Sequence, residues 1–365
     1  MSFNCGILGL PNVGKSTLFN ALTSTQIAES QNYPFCTIEP NVGKVSLKDK
    51  RLNKISKISK SQNTIFSQLE FVDIAGLVEG ASKGEGLGNK FLLNLQSVDA
   101  IIHVVRCFED KNISHVYNEI NPVNDIKVIE TELLLSDHAK ITNIIENLKK
   151  KNKDLKIDLK LMECLELAEN NLNNGVYLSQ YSFNKDQAKI LKGYGLLTLK
   201  PHIYVCNVNE ESVSEGNEFS KKVKEFAKEN SILTMNISAG IESEISQISE
   251  YDEKIEFLNS IGLEETSLSK LIKEGFKLLD LISFFTSGPK ESKAWSCKKG
   301  TFAPDAGAKI HTDFKKGFIK AEVISYEDFV NHEGENNCKD MGKLRFEGKD
   351  YKVNDGDIIT FRFNV

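Results

Sequence analysis

The sequence predicts an α/β nucleotide-binding fold, interrupted by a helical insert and followed by a smaller mixed α/β domain. Three observations predict it. A strand, a glycine loop and a helix start follow one another from Phe3 to Leu22, and Gly9-Leu10-Pro11-Asn12-Val13-Gly14-Lys15-Ser16 fits G-x-x-x-x-G-K-[ST]. From about Asp125 to Gly195 apolar residues recur at helical spacing. From Leu281 short strand signals return, and they end on a strict apolar/polar alternation. The domains expected are 1–124 with 200–280 for the nucleotide, 125–199 for the insert, and 281–365 at the C-terminal end.

Composition sets the outer bounds. The chain has 365 residues, more than one average domain holds. Hydrophobic residues at 40% can build real cores, while 27% charged residues and a net charge of -5 describe a soluble, slightly acidic protein. No overall positive charge points to nucleic acid, so any such contact must come from a local patch. Seven scattered cysteines without a C-x-x-C fit reduced thiols rather than zinc or a redox pair. No signal peptide or membrane span is legible, which makes a cytoplasmic protein the expectation.

Phe3 to Leu8 is an apolar run of strand length, and Ser16 to Leu22 reads as the first turns of a helix. That order brings backbone N–H groups and the positive end of a helix dipole to a phosphate. Asn12 to Thr17 (Asn12, Val13, Gly14, Lys15, Ser16 and Thr17) would hold it. Lys15, expected as an exposed lysine on a preformed loop, would reach the β- and γ-phosphates, and the Ser16 hydroxyl would hold Mg²⁺. Next comes Tyr33 to Asn41, where two prolines exclude helix and central strand. A loop at this distance is where nucleotide switches place a threonine on the metal, so Thr37 is the candidate beside Ser16.

Val42 to Leu47 and Phe66 to Ile74 read as strands. The second ends in Asp73-Ile74-Ala75-Gly76, where Asp73 would act on Mg²⁺ through a bound water and the Gly76 N–H would meet the γ-phosphate. The next residue is Leu77, which cannot orient an attacking water as a glutamine would. Gly80, Gly84, Gly86 and Gly88 then suit a loop that orders and disorders. Phe91 to Val98 resumes a helix. Ala100 to Cys107 is a strand buried on both faces, with His103 read as a packed core histidine. His115 follows in a polar loop, where pattern alone favours a surface histidine over a catalyst.

Between 125 and 199 the spacing predicts two long antiparallel helices with Lys149, Lys150, Lys151 and Lys153 at the tip, a solvated turn on charge alone. Pro201 to Cys206 returns to a buried strand and ends in Asn207-Val208-Asn209-Glu210. Guanine-specific sites read N-K-x-D here, and the aspartate accepts from the guanine N1–H and 2-amino group. Val208 and Glu210 replace that lysine and aspartate, which disfavours guanine. Glu218 to Glu229 reads as helix and Ile232 to Ile237 as strand. Ser238-Ala239 then follows, where backbone N–H groups would come to the base. Leu281 to Thr286, Ala294 to Cys297 and the alternating end from Ile359 to Val365 are the strands of the last domain, with a helical turn at Tyr326 to Val330.

The stretches GLPNVGKST, NYPFCTIEPN, FVDIAGLVEGASKGEGLGN, HVVRCFED, NVNE, KIHTDFKKGF and EGKDYKVNDGDIITFRFNV together resemble the YchF, or Obg-like ATPase, family of translation-factor-class P-loop enzymes, from end to end of the chain. The resemblance implies a Ras-like P-loop NTPase domain with an inserted α-helical hairpin and a C-terminal TGS domain, a ubiquitin-like β-grasp. It implies ATP preferred over GTP through Asn207, Val208 and Glu210, slow hydrolysis with K⁺ as activator, and ribosome binding. His115 matches a histidine proposed in that family to act on water. The expectation is an Mg²⁺-dependent ATPase serving as a ribosome-bound regulatory switch, with a GTPase of the same switch type as the alternative. RNA phosphates would be gripped by the tip lysines and by Lys298, Lys299, Lys309, Lys315, Lys316 and Lys320, and no membrane is involved.

Overall fold

The computed structural model describes residues 3–30, 41–74, 87–117, 119–151, 158–248 and 250–364. In chain order the first third forms β1 (Asn4–Leu8), α1 (Lys15–Ser30), β2 (Val42–Ser46), α2 (Lys50–Ser59), β3 (Asn63–Ile65), β4 (Gln68–Asp73), α3 (Leu87–Ser97) and β5 (Ala100–Cys107). The middle forms α4 (Pro122–Lys151), α5 (Leu159–Asn173), α6 (Lys185–Lys192), β6 (His202–Val208), α7 (Glu218–Glu229), β7 (Leu233–Ile237), α8 (Ala239–Gln247), α9 (Tyr251–Ser260) and α10 (Ser267–Leu278). The rest forms β8 (Leu281–Thr286), β9 (Glu291–Lys298), α11 (Ala303–Ile310), α12 (Thr312–Lys316), β10 (Phe318–Ile324), α13 (Tyr326–Asn331), α14 (Glu335–Asp340), β11 (Arg345–Glu347) and β12 (Ile358–Phe363). Contacts divide the chain into two units. One takes Asn4–Gly43 and Phe71–Leu271; the other takes Met1–Phe3, Lys44–Glu70 and Ile272–Val365.

In the first unit, β5 is buried at every position, as its nearly unbroken apolar run requires of a strand covered on both faces. It pairs in parallel with β1 on one side and β6 on the other, and β6 pairs in parallel with β7. The sheet order is β2-β4-β1-β5-β6-β7. Ligands of such open sheets bind outside the carboxyl ends of the strands. At that edge lie the glycine loop after β1, Asp73 closing β4, and Asn207 near the end of β6.

The insert begins where the Asn121 side chain accepts from the Asn124 N–H and Pro122 takes the first helical position. α5 runs back along α4, with Thr142 donating to Glu169 at 2.6 Å and Lys149 reaching Glu166 at 3.5 Å. Ile141, Ile145, Leu165, Ala168 and Leu172 fill the seam. At its base the buried Asp137 carboxylate accepts from the N–H groups of Leu197 and Thr198 and from the Thr198 hydroxyl.

The second unit has a sheet of order β11-β10-β12-β8-β9-β3. β8 and β9 form an antiparallel pair, α11 follows, and β12 returns between β8 and β10. That is the β-grasp arrangement. Phe284, Ala303, Ala306, Val323, Ile359 and Phe361 make one core between sheet and α11. The opposite face is closed by a piece of the N-terminal third. α2, capped by Asp49, inserts Leu52 and Ile55 among Phe285, Ile324, Phe329 and Ile358. β3 then pairs in parallel with β9, Asn63 to Ile65 against Glu291 to Lys293. Arg51 joins the two ends of this unit, held bidentately by Asp355 at 2.7 and 3.2 Å as well as by Asp49.

Candidate nucleotide-binding site

The loop after β1 needs its glycines for space. A Cβ on Gly9 would lie 2.3 Å from the Val104 carbonyl oxygen, and one on Gly14 would lie 2.3 Å from Asn207 Nδ2. Asn12 between them takes a left-handed conformation, φ 61°. Lys15 opens α1 and is 7% exposed, where the sequence suggested an exposed side chain. Its ammonium donates to the Leu10 carbonyl at 2.7 Å, so it lies folded over its own loop. Burial lowers its pKa from 10.5 to about 8, partly offset by the carboxylate of Asp73.

Asp73 carries the complementary state. Burial raises its pKa, with the nearby Lys15 ammonium opposing. Its Oδ1 is buried without a hydrogen-bond partner among the described residues. A carboxylate oxygen left unsatisfied beside an ammonium, with the Ser16 hydroxyl one residue along, is a hard-oxygen donor set of the kind Mg²⁺ uses. Val13 and Thr17 complete the loop and first helical turn: Val13 is 1% exposed and Thr17 lies open on the helix surface. Thr37, Gly76, Leu77, Gly80, Gly84 and Gly86 lie outside the described residues, while Gly88, expected in a loop, falls in α3.

Asn207 braces the loop. Its Nδ2 donates to the Val13 carbonyl at 2.9 Å, and its Oδ1 accepts from the Ala239 N–H at 3.0 Å. One side chain thus ties the glycine loop to the start of α8. Ser238 caps α8, accepting from the Ile241 N–H. Two of the groups the sequence offered to the base therefore hold the site's own frame. Val208 packs into the core with Cys107, Val213 and Ile241. Glu210 is exposed on the turn beyond β6, where a Cβ on Gly240 would lie 3.7 Å from its Oε1. That carboxylate therefore lies beside the start of α8.

His115 is 8% exposed and held at both ring nitrogens. Nε2 meets Asp125 Oδ2 at 3.0 Å, and Nδ1 accepts from the Tyr117 N–H at 3.2 Å. Asp125 lies in the first turn of α4, its pKa raised by burial against the hydrogen bond from His115 and the charge of Arg106. Sequence reasoning missed Arg106. It is 1% exposed, stacks over Phe108, and donates to the carbonyls of Phe108, Asp110, Ile113 and Ser114. Asn12 Nδ2 reaches the same Ser114 carbonyl at 3.3 Å. The glycine loop, the 108–117 segment and the first turn of the insert are therefore linked by consecutive hydrogen bonds. The available signal was an arginine at the end of a buried strand, since such a residue is almost never buried without partners.

Loop, sheet edge and β-grasp together define a P-loop protein of the GTPase-like class. Residues 4–156 match a family model described as "50S ribosome-binding GTPase", and residues 281–364 match the YchF-GTPase_C model, described as a protein of unknown function. Relatives named "Ribosome-binding ATPase YchF" from Pasteurella multocida, Escherichia coli O157:H7 and Bacillus subtilis are 51%, 48% and 46% identical, with all of this chain and all of each relative covered. The solved structure of a YchF GTPase from Schizosaccharomyces pombe is similar at TM-score 0.90 and 34% identity, over 99% of this chain and 98% of that one. A GTP-binding protein from Pyrococcus horikoshii shares the fold, at TM-score 0.63 and 21% identity over the whole of both chains. The chain belongs to the YchF family.

Proposed function

We propose that this protein is an Mg²⁺-dependent ATPase that turns over slowly, acts on GTP more weakly, and works in the cytoplasm as a nucleotide-dependent switch on the ribosome. The observation that carries the reading is the buried Lys15 beside Asp73, whose Oδ1 has no partner among the described residues. An ammonium and a carboxylate held near each other and away from water are arranged for a phosphate and its cation. Ser16 and Thr37 would hold Mg²⁺, with Asp73 behind a water, and the ion would supply charge neutralisation at the phosphates. Asn12 to Thr17 would bind the phosphates, with Gly76 at the γ-phosphate. The ribosome enters from the names of the relatives. K⁺ as activator rests on the family resemblance alone, and replacing it with Na⁺ in a turnover assay tests it.

His115 is the candidate for acting on water, but its ring is engaged on both sides in this conformation. With Nε2 held by Asp125, the nitrogen left to act as a base is Nδ1, so to take that role His115 must lose the Tyr117 N–H rather than Asp125. A shift of the 115–117 backbone is thus a physical means of freeing it.

The second reading, GTP hydrolysis, is favoured by names: the fission yeast protein and both matching family models are called GTPases. Glu210 and Val208 speak against it. A carboxylate one methylene too long misplaces the paired acceptors for guanine, worth ~1–3 kcal/mol or about one to two decades of affinity. Equilibrium binding of ATP and GTP to the purified protein decides between them. ATP should bind tighter, and Glu210→Asp should narrow the gap. Val208→Lys is unsuitable because it would force an ammonium into a closed core. Equal wild-type affinities would defeat the ATP reading.

A further inference from the structure

The second unit contains a cleft of about 300 Å³ outside the nucleotide site, opening beside β9 where the chain of β3 leaves the sheet. β3 accompanies only Glu291 to Lys293, the first part of an eight-residue strand, and Ala294 to Ser296 then line the opening. Two cations reach it. The Lys293 ammonium lies 4.1 Å from the centre of the Trp295 ring, and that of Lys309 lies 4.6 Å from the centre of the Phe3 ring. Among the described residues, no carboxylate lines it. Two serines that line it, Ser67 and Ser296, have buried hydroxyls without a hydrogen-bond partner among the described residues. Such hydroxyls are costly to leave unmade, and a χ1 rotation can turn each toward a ligand.

We propose that this cleft binds a phosphate group. Ammoniums held over aromatic faces and hydroxyls without acceptors all donate, and a phosphate offers several acceptor oxygens with negative charge. The volume lies at the lower end of ligand pockets, ~300–1,000 Å³, and gives room for a single nucleotide unit. Two sources share that chemistry: a free mononucleotide and the backbone of single-stranded RNA. The site is separate from the glycine loop and does not depend on the function proposed there.

The chain's single tryptophan is Trp295, so tryptophan fluorescence, excited selectively over the nine tyrosines, reports on this cleft. The full chain is titrated with inorganic phosphate, uridine monophosphate and a short single-stranded oligouridylate, with equilibrium dialysis of labelled ligand in parallel. Saturable binding is expected. Lys293→Gln and Lys309→Gln should each weaken it about tenfold, the worth of one charge-assisted contact. Ser67→Ala should weaken it while leaving the melting temperature unchanged or higher. Lys15→Ala should leave it intact, which separates it from the nucleotide site. An oligouridylate that binds at least about tenfold tighter than the mononucleotide, with steep salt dependence, identifies RNA as the source. Equal affinities identify a free nucleotide. Absence of saturable binding by dialysis, binding unchanged in both lysine variants, or binding lost in Lys15→Ala would overturn the proposal.

Discussion

Lys15 carries an ammonium that burial disfavours and that a phosphate would stabilise. Its folded pKa of about 8 lies below the ordinary 10.5, so between those values the unfolded chain holds more protons and stability rises with pH. Below about 8 both states are protonated and the cost of burying the charge stays constant. Nucleotide binding has the opposite sign, because it requires the charged form. Affinity should be flat up to near pH 8, then fall by as much as about tenfold per unit, with a proton taken up on binding. Calorimetry in two buffers of different ionisation enthalpy reads that proton directly. Affinity that stays level well above pH 8 would remove Lys15 from the phosphate site. Lys15, Ser16 and Asp73 could be picked out as candidates because phosphate and cation chemistry restricts residue type and spacing at once. Arg106 and Asp125 could not: their partners are carbonyls and a histidine whose proximity exists only after folding.

At the scale of elements, the sequence marks segments whose own residues decide their form. Ala100 to Cys107 was expected as a strand buried on both faces and is one, and Glu218 to Glu229 forms a helix with those bounds. α2 escaped notice because only Leu52, Ile55 and Ser56 of its ten residues are buried, among lysines and serines. Asp49 was a readable cap, since it accepts from the Arg51 N–H. β3 is three residues with no alternation, and only its register with β9 makes it a strand. The placement of both beside the C-terminal strands is a tertiary fact with no local trace. A stability test follows. Ile55→Ala leaves a hole among Phe285, Ile324 and Ile358 and should cost ~2–5 kcal/mol in the unit that contains Trp295. Thermal unfolding followed by tryptophan fluorescence should shift down by several degrees. An unmoved transition would show that α2 contributes little to that core.

For the whole molecule, the central prediction is electrostatic. Net charge is -5, so docking on RNA has to be local. Lys149 and Lys150 are exposed near the end of α4, and their ion pairs with Glu166 and Glu146 are the surface kind, worth ~0–1 kcal/mol. They can be exchanged for phosphates at little cost. In the C-terminal unit Lys315 and Lys320 are paired with Asp305 and Glu322. Ribosome co-sedimentation across salt should lose ~0.7–0.9 in log affinity per log salt for each phosphate neutralised. Changing Lys149 and Lys150 to glutamate should flatten that slope. Binding indifferent to salt and to these reversals would exclude electrostatic docking through the insert. The interleaving of the two units also bears on how the protein is made. α2 and β3 leave the ribosome early, while β9, β12 and Phe329, which cover them, come last. At ~5–20 residues per second the apolar stripe of Leu52 and Ile55 waits for roughly 15–60 s without its partners. During synthesis the nascent N-terminal third is therefore a natural client for a chaperone at the exit tunnel.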